Sequence, residues 1–141
     1  MKSIVSESVR VCPQFYDLDP MNIVWHGNYP RFFELARTAL MARIGYGYDA
    51  MLASGYAWPV IDMHIRYYRP LRLGGWIEIA ASITEWENRL KIEYLAIDER
   101  TGKKTTKGHT VQVALDAKSE TMLWQTPPIL REKLAPFLHD Q

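Results

Sequence analysis

Between Asn28 and Ile44 the chain carries apolar side chains around more than half of a helix, and nearly everything after Gly55 alternates with a period of two. At about 100° per residue, Phe32, Phe33, Leu35, Ala36, Ala39, Leu40, Ala42 and Ile44 fill an arc of roughly 200°, wider than the stripe of an ordinary surface helix. Arg31, Glu34, Arg37 and Thr38 share the remaining polar stripe. Asn28 is a good N-cap by residue type, Pro30 suits the first turn, and Gly45 suits a helix end. One long helix, largely enclosed, is therefore expected.

The period-two stretches supply the enclosure. Pro59–Tyr68, Ile77–Thr84, Leu90–Ala96 and Thr110–Leu115 each alternate apolar and polar residues, as half-buried strands do. Asp98–Gly102 reads as a hairpin loop. An earlier strand is expected over Val9–Phe15, ended by Asp19-Pro20. Short helical stretches are expected at Asp49–Ala53 and Pro127–Leu138, the latter interrupted by Pro136. Consecutive strands joined by short turns are antiparallel. The reading is an α+β chain, one antiparallel sheet curled around one helix, with residues 1–141 forming a single domain. Its sheet edges are left unpaired in a monomer, so a homodimer or homotetramer is expected.

Composition narrows the function classes. Seventeen Lys and Arg oppose sixteen Asp and Glu in 141 residues, giving a net charge of +1. That balance argues against a dedicated nucleic-acid partner. No apolar run is long enough to span a bilayer, and the first residues lack a signal-peptide pattern. With a single cysteine, Cys12, no internal disulfide is expected and a cytoplasmic setting fits. Cys12 and the four histidines show no metal-ligand spacing, and no cofactor motif is present. Five Trp, eight Tyr and four Phe remain to be placed. Tyr46, Tyr48, Tyr56 and Trp58 cluster between the helix and the next strand, where they could line a pocket.

Chemistry concentrates in Phe15–Tyr29, just ahead of the helix. That stretch holds Asp17, Asp19 and His26 beside a helix N-terminus, whose unpaired backbone N–H groups and dipole favour a developing negative charge. The segment YDLDPMNIVWHGNYPRFFELAR resembles the 4-hydroxybenzoyl-CoA thioesterase-like branch of the hotdog-fold acyl-CoA thioesterases, and YYRPLRLGG and the strand order fit as well. The resemblance implies that Asp19 is the catalytic carboxylate, acting as nucleophile or as general base. It implies that the backbone N–H of His26 polarises the thioester carbonyl, with the His26 side chain assisting. Gly27 would allow close backbone approach, and Tyr29 and Glu34 would line the substrate site. Asp17 reads as structural or solvent-facing. Glu34 and Arg37 also suit a simple helix ion pair.

Coenzyme A carries phosphates, so local cations are expected. Candidates are Arg66, Arg69, Arg72, Arg89, Lys91, Lys103 and Lys104, with Arg89 and Lys91 preferred. The expected activity is hydrolysis of an acyl-CoA thioester. An acyl-carrier-protein thioester is the first alternative substrate. A non-hydrolytic acyl-binding protein or a dehydratase of the same fold is the second alternative.

Overall fold

A computed structural model describes residues 3–138. The main sheet contains β1 (Val5–Val11), β3 (Val60–Tyr67), β4 (Ile77–Glu85), β5 (Leu90–Asp98) and β6 (Lys103–Gln112). Their spatial order is β1-β4-β5-β6-β3, antiparallel throughout. The long helix α1 (Tyr29–Arg43) lies across one face. A short helix α2 (Tyr48–Ser54) leads into β2 (Tyr56–Ala57), which pairs with β7 (Leu115–Asp116) in a separate two-stranded sheet. Helix α3 (Pro128–Leu138) follows and continues through Pro136 without the expected interruption.

The helix-facing row is what the alternation demands. Ile77, Ile79, Ala81 and Ile83 of β4 and Leu90, Ile92, Tyr94 and Ala96 of β5 are buried in one cluster with Phe32, Phe33, Ala36 and Leu40 of α1. Phe33 stacks on Tyr94 with ring centroids 4.6 Å apart. Gly108 of β6 makes room for that stack, because a Cβ there would lie 2.9 Å from the Phe33 ring.

Four further sequence expectations change. The first strand is Val5–Val11; Phe15 belongs to a 3-10 turn, Phe15–Asp17, and is 81% exposed. The strand stops before Pro13, which has no N–H to give to a ladder. The last long strand is Lys103–Gln112, and Leu115 belongs to the small second sheet. The helix-facing positions of β6 are Thr106, Gly108, Thr110 and Gln112, a polar row that hid the strand from an apolar pattern. Helix α1 is buried on one side only: Leu35 is 48% exposed and Ala42 is exposed as well. Asn28 precedes α1 but does not cap it, since its amide Nδ2 donates to the Asp17 carbonyl at 2.8 Å.

Strand β3 is an edge, with Val60, Ile61, Met63 and Tyr67 all exposed. Among the described residues no helix is long and apolar enough to cross a membrane.

Candidate active site

The loop between β1 and α1 is held by one buried carboxylate. Asp17 is 2% exposed, pairs with Arg31 of α1, and accepts the Gln14 backbone N–H at 2.8 Å. Its own carbonyl accepts the Trp25 N–H at 2.9 Å as well as the Asn28 side chain. Asp17 thus ties both ends of the loop to the start of the helix; it is structural and not solvent-facing.

Asp19 sits at the head of the tight turn that this frame supports. Its N–H donates to Ile23 O at 2.8 Å, and its carbonyl accepts the Asn22 N–H at 3.0 Å. Asn22 adopts a left-handed φ of 63°, which asparagine tolerates better than most residues. Asp19 Oδ1 accepts the Met21 N–H at 2.8 Å, the usual Asx arrangement. Among the described residues Oδ2 has no hydrogen-bond partner and Asp19 has no ion pair. One oxygen anchors the carboxylate and the other is left available.

Asp19, His26 and Tyr29 line a single cleft of about 350 Å³, together with Ile23, Tyr67 and Arg69. His26 begins a 3-10 turn, His26–Asn28, that runs directly into α1. Among the described residues no hydrogen bond takes up the His26 backbone N–H. Its carbonyl accepts the Tyr67 hydroxyl at 2.8 Å, which fixes the following peptide against β3. The His26 ring is exposed and lies 5.3 Å from the Trp25 ring. Gly27 is crossed by that same Trp25 ring: a Cβ would meet it at 2.4 Å.

Tyr29 is buried, and burial pushes its phenol up to about 12, partly offset by a hydrogen bond with Thr106. It packs edge-to-face on Tyr67 at 4.9 Å, and burial also raises the Tyr67 phenol. Both phenols are neutral at pH 7, so the cleft walls offer hydroxyl groups and ring faces without charge. Sequence reading did not select Tyr67 as a site residue, although it opens the YYRPLRLGG segment that fits the resemblance.

Other expected residues lie elsewhere. Glu34 is exposed, sits 3.6 Å from Arg37, and lines a separate pocket of about 200 Å³ with Arg37, Met41, Tyr48, Met51 and Gln112. Arg89 is held by Glu85 at 2.8 Å, and each raises the charge of the other: the guanidinium is pushed up and the carboxylate down. Lys91 is at the same end of β5. That end lies six residues along β5 from Ala96, which pairs with Thr106 beside Tyr67. At about 3.3 Å per residue, Arg89 and Lys91 are roughly 20 Å from the cleft. Of the clustered aromatics, Tyr46 and Trp58 are core, joined by a 3.0 Å hydrogen bond, whereas Tyr48 is 75% exposed. Among the described residues no three His, Cys, Asp or Glu side chains gather into a metal-binding group.

A curled antiparallel sheet around one helix, with an acid-bearing loop at the helix start, is the architecture of hotdog thioesterases. The chain belongs to the thioesterase-like superfamily, whose profile matches residues 13–138. It is 30% identical over 127 residues to a candidate esterase of Synechocystis sp., covering 89% of this chain and 75% of that protein. It is 34% identical over 70 residues to the acyl-CoA thioester hydrolase YbgC of Escherichia coli, covering 50% and 52%. Its fold matches a DHNA-CoA thioesterase from Staphylococcus aureus with a TM-score of 0.83 at 20% identity, covering 93% and 89%. The resemblance noted in the loop segment therefore holds for the fold and for the enzyme class: the chain is a thioester hydrolase.

Proposed function

We propose that the chain hydrolyses acyl-CoA thioesters at the Asp19 cleft. The observation that carries this reading is the half-anchored Asp19 carboxylate, whose Oδ2 has no partner among the described residues, sharing a cleft with the His26 N–H, which likewise has none among them. The thioester carbonyl oxygen accepts the His26 N–H, and such a donor is typically worth about 10²–10³ in rate. In the general-base route Asp19 takes a proton from water as the water oxygen bonds to the carbonyl carbon. The C–S bond then breaks, and the thiolate leaves with a proton returned from Asp19. In the nucleophilic route Oδ2 attacks the carbon directly, thiolate departs, and water cleaves the resulting anhydride. Both routes consume one water and release one acid and one thiol. The His26 imidazole, exposed at the mouth, is able to assist the leaving thiolate.

The working unit in this reading is at least a homodimer, with β3 of one protomer paired antiparallel to β3 of a second copy. The exposed apolar residues of that edge favour such pairing. A two-fold pairing centred on the strand sets Tyr67 of one protomer against the partner's Val60. It also swings the partner's Arg89 and Lys91 end of the sheet toward the cleft, where those cations and the local Arg69 are available to coenzyme A phosphates. A thiol-release assay against a panel of acyl-CoA esters, run beside the same acyl groups on acyl carrier protein, tests the proposal. Faster release from the CoA forms is expected. Release from carrier-protein forms alone would shift the substrate class, and release from none would remove the activity.

A further inference from the structure

Beneath α2 the chain leaves space that its own side chains do not fill. None of the seven residues of α2 is buried, and Tyr48 and Leu52 are 75% and 61% exposed. One cavity of about 350 Å³ opens between α2 and β2, lined by Tyr48, Met51, Leu52, Tyr56, Ala57 and Trp58. The pocket of about 200 Å³ described above lies on the other side of the same helix and shares Tyr48 and Met51 with it. The rear wall is fixed. Trp58 Nε1 donates to the Tyr46 hydroxyl, which is 2.8 Å from the Ser54 hydroxyl, and Gln112 Nε2 donates to the Trp58 carbonyl at 2.8 Å. Unfilled apolar space costs stability. A volume of this size with an apolar lining matches the lower range of small-molecule sites.

The strand register says which cleft this space serves. Within one protomer Tyr67 pairs with Thr106 and Val60 with Gln112, so its own Gln112 pocket lies six residues along β6, roughly 20 Å away. Under the β3–β3 pairing proposed above, on which this inference rests, Tyr67 faces the partner's Val60. The partner's Gln112 is then two strand spacings off, about 10 Å. The nearer pocket is the partner's. At its mouth Glu34 and Arg37 offset each other at 3.6 Å, and the cavity beyond is lined by no charged residue.

We infer that this enzyme takes medium- to long-chain aliphatic acyl groups. The thioester sits at Asp19 of one protomer and the tail lies under α2 of the partner. An acyl group as short as acetyl cannot cross about 10 Å. Each methylene moved from water into the cavity is worth about fourfold in binding, so longer tails gain steeply until the space is full.

Saturated CoA esters from acetyl to hexadecanoyl test this, with kcat/KM read for each. Dodecanoyl-CoA should exceed acetyl-CoA by more than about tenfold. Met51→Trp, which fills the space, should cut the dodecanoyl-to-acetyl ratio at least about tenfold. Leu52→Trp should do the same from an exposed position that does not burden folding. A heterodimer of Asp19→Asn and Met51→Trp chains, co-produced with two tags and purified through both, separates the two arrangements. It joins an intact Asp19 to the partner's intact α2 space at one of its two sites, so it should turn over dodecanoyl-CoA at least about fivefold faster than either parental homodimer. A heterodimer no faster than the Met51→Trp homodimer overturns the arrangement across protomers, and a wild-type preference for acetyl-CoA overturns the substrate class. Should wild type release no thiol from any ester, the hydrolytic reading fails instead. The tail site is then judged by calorimetry of dodecanoyl-CoA: at least about tenfold weaker binding to Leu52→Trp upholds it, and equal binding removes it.

Discussion

Replacing Asp17 by alanine should damage the fold, although Asp17 lies only two residues from the proposed catalytic carboxylate. The magnitude follows from the two partners. Arg31 is half exposed while the Asp17 carboxylate is 3% exposed, so solvent screens the arginine side and the pair contributes about 1 kcal/mol. Asp17→Ala also strands the Gln14 N–H, which is held at 2.8 Å, for a further 1–2 kcal/mol or about that. The total is about 2–3 kcal/mol, with roughly 3–5 °C lost from Tm for each kcal/mol in a domain of this length. Asp17→Asn keeps an acceptor for Gln14 and should lose only about 1 kcal/mol. Urea unfolding at neutral pH, followed by tryptophan fluorescence, measures both variants. Added salt should narrow the Asn deficit, because the pair is open on one side. Equal stability of wild type and Asp17→Ala would refute the account of the loop. An Asn variant as damaged as the Ala variant would place the whole effect in charge and remove the hydrogen-bond share.

Two further outcomes follow from the cleft walls. Tyr67→Phe removes the 2.8 Å hydrogen bond to the His26 carbonyl, and should lower kcat by about tenfold, the equivalent of one net hydrogen bond, with KM little changed. A rise in KM at constant kcat would mean that Tyr67 only touches substrate. Tyr29 titrates near 12 in the fold against about 10 when unfolded, so its contribution is complete below pH 10 and is lost as pH rises toward 12. That loss amounts to about 2–3 kcal/mol. Stability measured by urea from pH 9 to 12 should fall more steeply in wild type than in Tyr29→Phe, and parallel curves would contradict the burial of the phenol.

The parts of the fold legible in the sequence are those where pattern and packing agree. α1 lies within a residue of its expected bounds because Pro30 opens it and Gly45, at φ 77°, closes it. β4 and β5 were readable because their helix-facing residues are nearly all aliphatic. β6 was not, because Thr106, Gly108 and Thr110 face the helix: the glycine yields space to Phe33, and the Thr110 hydroxyl is 2.8 Å from that of Tyr94. Such partners are set by tertiary contact and leave no periodic trace. In the loop, the family resemblance marked Asp19 and His26 and set Asp17 aside as structural or solvent-facing; the folded frame supplies the reason, since the Asp17 carboxylate is spent on Arg31 and Gln14. Leu35 shows the reverse case, an apolar residue whose place in the arc implied burial and whose exposure is 48%.

Asp19→Asn is the most direct test of the central claim. Asparagine retains an oxygen for the Met21 N–H, so the turn survives and unfolding in urea should match wild type within about 0.5 kcal/mol. The carboxylate's ability to take a proton or attack a carbonyl is gone. Thiol release from the best acyl-CoA ester should fall by about 10²–10⁴. Turnover that stays at the wild-type level in a normally folded Asp19→Asn protein would contradict the claim and move the chemistry to another residue.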